Sequence, residues 1–141
     1  MPRFLLDTNI LSDFVKNPAG PVASRLDALA ADEEIYTSII VAAELRYGAM
    51  KKKSPALSAR IEELLETIDV LPFAPDGDRH YGTLRTDLEA GGTPIGANDM
   101  LIAASALATG CILVSDNVKE FQRVRGLKVQ NWLRPGAGSR H

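Results

Sequence analysis

Short apolar runs alternate along the chain with longer stretches whose apolar residues recur every three or four positions. That alternation predicts an α/β domain on a mainly parallel sheet. Phe4-Leu5-Leu6 reads as a first strand, and Asp7-Thr8-Asn9 offers three caps for a short helix from Ile10 to Val15. Asn17-Pro18-Ala19-Gly20-Pro21 breaks that helix. A second helix is expected over about Val22 to Ala30 and a second strand at Ile35-Tyr36-Thr37. Ser38 is placed to cap a helix reaching about Met50. Lys51-Lys52-Lys53-Ser54-Pro55 then makes a basic turn before a helix from Ala56 to Ile68. Val70-Leu71-Pro72-Phe73 is strand-like, and its proline, lacking a donor N–H, puts it at a sheet edge.

Pro75 to Ala90 reads as helix and Gly91 to Gly96 as a loop of turn residues. The segment Met100 to Ala108 is apolar nearly all round, which predicts a helix covered on several sides. Thr109-Gly110 stops it, Ile112-Leu113-Val114 is the next buried strand, and a short helical turn spans about Val118 to Phe121. A last strand falls near Lys128-Val129-Gln130. No second core, internal repeat or low-complexity tract interrupts this series, so residues 1–133 are expected to form one domain. Residues 134–141, rich in glycine, serine and arginine, are expected to be a disordered tail.

Composition narrows the chemistry. Of 141 residues, 45% are hydrophobic and 24% charged, a balance that supports a packed soluble domain. No apolar run approaches the roughly 20 residues a bilayer-spanning helix needs. The opening residues are acidic too soon for a secretory leader, and a cytoplasmic protein is expected. The single cysteine, Cys111, excludes an intramolecular disulfide and a cysteine-based metal site, and beside Ile112-Leu113-Val114 it reads as a small buried hydrophobe. Of the two histidines, His80 has no recognisable nucleophile motif near it and His141 ends the chain, so any chemistry rests mostly on carboxylates. A net charge of −2 argues against coating nucleic acid by bulk charge. It leaves local binding open, because divalent cations in an acidic site present positive charge to phosphate.

Two acids end buried strand-like runs: Asp7 follows Phe4-Leu5-Leu6, and Asp116 follows Ile112-Leu113-Val114-Ser115. Open α/β sheets build sites beyond the carboxyl ends of their strands, so parallel neighbours would bring both acids to one edge. Asp99 opens the apolar helix after the glycine-rich loop. Each of the three could be a helix cap, as could Asn98, but three caps in a row on apolar elements is an uneconomical account. Glu44 lies among Ile40, Val41, Ala42, Ala43 and Leu45, where an acid wants a partner or a cation, and Arg46 two positions on faces elsewhere on a helix. Converging carboxylates must protonate or bind cations, and oxygen-only donors suit Mg²⁺ or Mn²⁺ over zinc. Such ions activate water and stabilise a leaving oxygen in phosphodiester hydrolysis. Lys51-Lys52-Lys53 reads as a solvated charge run or a phosphate contact, Arg85 as a surface residue or a phosphate contact, and Trp132 as packing or a base-stacking platform.

In order and spacing, these segments resemble PIN-domain ribonucleases nearly to Trp132. The matching blocks are Phe4-Leu5-Leu6-Asp7-Thr8-Asn9, Ala43-Glu44-Leu45-Arg46-Tyr47-Gly48, Gly92 to Ala103, Leu113-Val114-Ser115-Asp116-Asn117 through Glu120-Phe121, and Arg125 to Trp132. The subgroup most resembled is the VapC toxins of bacterial VapBC toxin–antitoxin pairs. The resemblance implies a three-layer α/β/α fold and Mg²⁺- or Mn²⁺-dependent cleavage of structured RNA, often tRNA. It also implies a homodimer and inhibition by a VapB-type antitoxin. Asp7, Glu44 and Asp99 match the family's first three acids. Asp116, Asn117 and Glu120 are candidates for the fourth position, with Asp116 favoured as the acid, Asn117 as its orienting neighbour and Ser115 as a hydroxyl replacing the family's frequent threonine.

Three rival readings remain at this level. One is a DNA or flap nuclease using the same four acids, Asp7, Glu44, Asp99 and Asp116. Another keeps the fold without turnover, as a DNA-binding or antitoxin-binding partner. The third is a flavodoxin-like receiver, which would want a lysine at the end of its last strand, whereas Lys128 begins it.

Overall fold

The structure is a computed structural model that describes residues 2–134. The tail expected beyond residue 133 lies, apart from Arg134, outside the described residues. Five strands form one parallel sheet: β1 (Arg3–Leu6), β2 (Glu34–Ser38), β3 (Asp69–Leu71), β4 (Ile112–Val114) and β5 (Val129–Gln130), in the order β3-β2-β1-β4-β5. The helices are α1 (Thr8–Lys16), α2 (Pro21–Asp27), α3 (Ile39–Lys51), α4 (Pro55–Thr67), α5 (Gly77–Ala90), α6 (Ala97–Thr109) and α7 (Val118–Phe121).

The strand order sets the layers. From β1 to β3 the chain moves one way across the sheet, and from β3 to β5 it returns the other way. Crossovers between parallel strands are right-handed, so connections running in opposite senses lie on opposite faces. Helices α1 to α4 therefore cover one face and α5 to α7 the other, giving the α/β/α sandwich that the resemblance to PIN domains implies. Central β1 buries Phe4, Leu5 and Leu6 almost completely, because it is covered on both faces and paired on both edges.

Local chemistry places the helix ends. The Ser38 hydroxyl accepts the Val41 N–H at 3.1 Å at the start of α3, and the Ser54 hydroxyl accepts the Leu57 N–H at 3.2 Å at the start of α4. Gly110, at φ +68°, closes α6 in the left-handed region and lets the Cys111 N–H turn back to the Ala106 carbonyl at 2.9 Å. Three boundaries differ from the sequence expectation. Helix α2 ends at Asp27 because the Glu33 carboxylate takes the Ala30 N–H at 2.8 Å, offering the backbone a non-helical partner. Pro72 falls just past β3, which pairs only with β2 and is the expected edge. Helix α6 begins at Ala97, so Asp99 lies within its first turn and Gly96 occupies the cap.

Trp132 is packing. It meets Phe4 edge-on at 5.3 Å, and the Arg25 guanidinium lies over both rings, at 4.8 Å from Trp132 and 5.4 Å from Phe4. Among the described residues no helix is long and apolar enough to cross a membrane.

Candidate active site

The pairing of β1 with β4 sets Leu6 opposite Val114, so the next residues, Asp7 and Ser115, come level. The Asp7 N–H extends the ladder to the Val114 carbonyl at 2.9 Å. Asp7 is only 4% exposed, and its Oδ2 accepts the Ser115 hydroxyl at 2.7 Å. The same hydroxyl oxygen accepts the Asn117 N–H at 3.0 Å and the Asn9 amide at 3.5 Å. Asn9 Oδ1 in turn accepts the Asp116 N–H at 3.0 Å. The two strand-end turns are thus stitched together by short polar side chains, with the Ser115 hydroxyl at their centre. Asp7 stands at the N-cap position of α1 without a capping bond, its carboxylate being directed to Ser115.

Glu44 is half-buried on α3, and both of its oxygens accept hydrogen bonds from neutral donors. The Thr8 hydroxyl reaches Oε1 by a short bond, and the Asn98 amide reaches Oε2 at 3.2 Å. Arg46 is engaged elsewhere, in a two-pronged pair with Glu62 at 2.8 Å. Thr8 and Asn98 read in sequence only as cap candidates; the fold makes them the donors that hold Glu44.

Burial and like charge govern the titration of the site. Burial pushes the Asp7 carboxyl above the ordinary carboxylate range, hydrogen bonds from Ser115 and the Thr8 N–H oppose the shift, and the Glu44 charge adds to it. Asp99, in the first turn of α6, is pushed up to about 6, first by burial and then by the charges of Asp7, Glu44 and Glu120. Asp7, Glu44, Asp99 and Glu120 therefore share one electrostatic neighbourhood. Among the described residues, none of the first three forms an ion pair with lysine or arginine.

Asp116 sits differently. It lies past the end of β4, in the bend before α7. Its Oδ1 accepts the Asn131 amide at 2.9 Å and pairs with Arg134 Nε at 3.3 Å. The strand ends put Asp7 and Asp116 at one edge of the sheet, but the carboxylate of Asp116 is engaged on the β5 side. Of the alternatives for the fourth position, it is Glu120 whose charge Asp99 feels, while Asn117 contributes a backbone N–H.

The donor set has the chemistry of a hard divalent cation site, with carboxylate oxygens, net negative charge and only neutral hydrogen-bond partners around it. As the side chains stand, no group of three or more Asp, Glu, His or Cys among the described residues is close-set enough to hold a metal ion. The acids sense one another without converging.

Comparison with known proteins agrees with this fold. The PIN domain family model matches residues 4–127. Ribonuclease VapC2 of Rickettsia felis is 38% identical over 130 residues, covering 92% of this chain and 97% of that protein. A tRNA(fMet)-specific endonuclease VapC of Shigella flexneri is 36% identical over 133 residues, covering 94% and 99%. Among solved structures, VapBC2 from Rickettsia felis bound to a DNA fragment from its promoter superposes with a TM-score of 0.86 at 37% identity, covering 92% of this chain and 98% of that one. VapBC-1 from nontypeable Haemophilus influenzae gives 0.84 at 38% identity, covering 94% and 99%. Fold and likeness meet in one conclusion: the chain belongs to the PIN-domain family, within its VapC group.

Proposed function

We propose that this protein is an endoribonuclease toxin that hydrolyses RNA phosphodiester bonds with Mg²⁺ or Mn²⁺ and is inhibited by a VapB-type antitoxin. The observation that carries the reading is the shared neighbourhood of Asp7, Glu44 and Asp99 at the carboxyl edge of the sheet, where none of them pairs with a lysine or arginine among the described residues. Relatives named ribonuclease VapC and solved VapBC complexes support the activity and the partner. The name of the Shigella relative supports tRNA, or another structured RNA, as substrate. A homodimer is the assembly expected from the family.

Asp7, Glu44 and Asp99 would hold the ion, with Glu120 or Asp116 as the fourth acid. When bound, the metal supplies an activated water and stabilises charge on the phosphodiester oxygens. The chain's own groups orient the donors: Ser115 fixes Asp7, while Thr8 and Asn98 fix both oxygens of Glu44. Asp99 exchanges its proton near pH 6, so cation binding below that pH displaces a proton from its carboxyl and metal affinity falls as the solution is acidified.

Purified, antitoxin-free protein should cut tRNA in Mg²⁺ or Mn²⁺, lose the activity in EDTA and not regain it with Zn²⁺. Undiminished cleavage in EDTA would remove the metal from the reaction. Duplex and flap DNA in the same assay separate the rival reading, because preferential DNA cleavage would make this a DNA nuclease.

A further inference from the structure

Two helices carry matching rows of side chains away from the acidic site. On α1 the row is Thr8, Ser12 and Lys16; on α3 and its cap it is Glu44, Gly48 and Lys52. Each row has the spacing i, i+4, i+8, so its members line one face over two turns, and its last residue lies ~12 Å along the helix from its first. The rows are joined at the acidic end by the Thr8–Glu44 hydrogen bond, and all six residues line one groove between α1, α3 and α4. The groove has a volume of about 160 Å³ and a floor of apolar side chains from the three helices. Its acidic end opens at Glu44 and its far end at two exposed lysines. Among the described residues neither lysine is paired with a carboxylate.

Gly48 is the second observation. Glycine in a helix interior costs about 1 kcal/mol relative to alanine. Here nothing in the packing requires it, since a Cβ built at Gly48 meets no atom within 4 Å. What the missing side chain leaves is room in the groove. Lysines at helix C-termini also offset the local carbonyl charge, which accounts for one charge on each helix but not for their convergence on a single groove.

We propose that this groove is a nucleotide subsite of the RNA-cleaving centre. Lys16 and Lys52 take an RNA phosphate a few nucleotides from the scissile one, and a base lies on the apolar floor in the space left by Gly48. A polynucleotide repeats its charge along the strand, so a chain with one phosphate at the acids places another within reach of the lysines. The proposal rests on the ribonuclease reading above and names where that substrate lies.

The test uses the full chain carrying Asp99→Asn to suppress cleavage, with fluorescein-labelled tRNA as the probe and anisotropy measured against salt in Mg²⁺. Lys16→Gln/Lys52→Gln should weaken binding and reduce the slope of log affinity against log salt by about 0.7, the value for one phosphate no longer neutralised on a single strand. Gly48→Leu should weaken binding several-fold with the slope unchanged, while its melting temperature holds or rises because leucine is the better helix former. An unchanged slope in the lysine variant together with parent-like binding by Gly48→Leu overturns the subsite. So does a result in which both changes spare tRNA binding but abolish binding of the antitoxin, which assigns the groove to protein. The parent chain without Asp99→Asn is the control for cleavage: if it cuts tRNA and the groove variants bind as the Asp99→Asn chain does, only the subsite fails. If it leaves tRNA intact in Mg²⁺ and Mn²⁺, the ribonuclease reading itself fails.

Discussion

The two ends of the central strand handle charge in opposite ways. At the amino end, register partners Arg3 and Glu34 carry opposite charges and pair at 3.3 Å. The Tyr36 hydroxyl also donates to Glu34, and Arg3 donates to the Thr109 carbonyl at 3.0 Å. Arg3 and Glu34 thus meet each other's charge within the protein. At the carboxyl end, Asp7, Glu44 and Asp99 share one environment, the side-chain donors to Asp7 and Glu44 among the described residues are neutral, and Asp99 is pushed up to about 6. A fold that compensates its surface at one edge of a sheet and leaves like charges together at the other has reserved the second edge for something positive.

Breaking the uncompensated end should have the largest effect. Asp99→Asn should lower RNA cleavage by about 10²–10³, the scale of removing one electrostatic group from an active site. Without metal the same change should stabilise the protein near neutral pH. Because the folded-state value of Asp99 is raised from 3.8 to about 6, the folded protein favours the protonated carboxyl. Its stabilising contribution is complete below about pH 4 and lost as pH rises through 6. The mutant's gain in metal-free melting temperature should therefore be absent at pH 4 and full by pH 7, and Mg²⁺ should raise its melting temperature less than the parent's.

A sharper comparison sets two acids of neighbouring elements against each other. Glu120→Gln should weaken Mg²⁺ binding measured by calorimetry and lower the Asp99 titration slightly, Glu120 being the least of the causes that raise it. Asp116→Asn should leave that titration in place, because its carboxylate faces Asn131 and Arg134. The reverse pattern would restore Asp116 as the fourth acid.

Smaller still, Ser115→Ala removes the buried donor to Asp7 and should cost about 1–3 kcal/mol in urea unfolding, with the Asp7 titration moving further up. The smallest effect belongs to the amino end. Glu34→Gln should leave cleavage and the Mg²⁺-induced melting shift unchanged, with any loss of stability vanishing in high salt. A marked loss of activity there would erase the distinction between the two ends.

Much of this layout is legible in sequence because buried parallel strands write themselves as unbroken apolar runs. Phe4-Leu5-Leu6 and Ile112-Leu113-Val114 reveal both strands, and an acid just after each run announces a strand-end turn. Glu44 stands out because its neighbours are apolar. The side to which Asp116 points is not legible in the same way. It depends on the bend that follows β4, where the register leaves Ser115 level with Asp7 and Asp116 one residue further on, beside Asn131 and Arg134. Likewise, the donors to Glu44 come from α1 and α6, 36 and 54 residues away in sequence, and only the packed helices bring Thr8 and Asn98 to one carboxylate. Glu120 was open among alternatives, since a four-residue helix leaves little periodicity from which to infer a face.

The contact between Asp7 and Ser115 joins residues 108 positions apart. During translation the middle strand of the sheet leaves the ribosome first, and the strand that covers one of its edges follows only after α6. Until then β1 can pair with β2 alone, so a nascent or stalled chain carries an open parallel edge that invites misassembly. Such a chain already holds Asp7 and Glu44 but lacks the hydroxyl that fixes the first of them. The timing of synthesis thus keeps the carboxyl edge incomplete until the last part of the domain has been made.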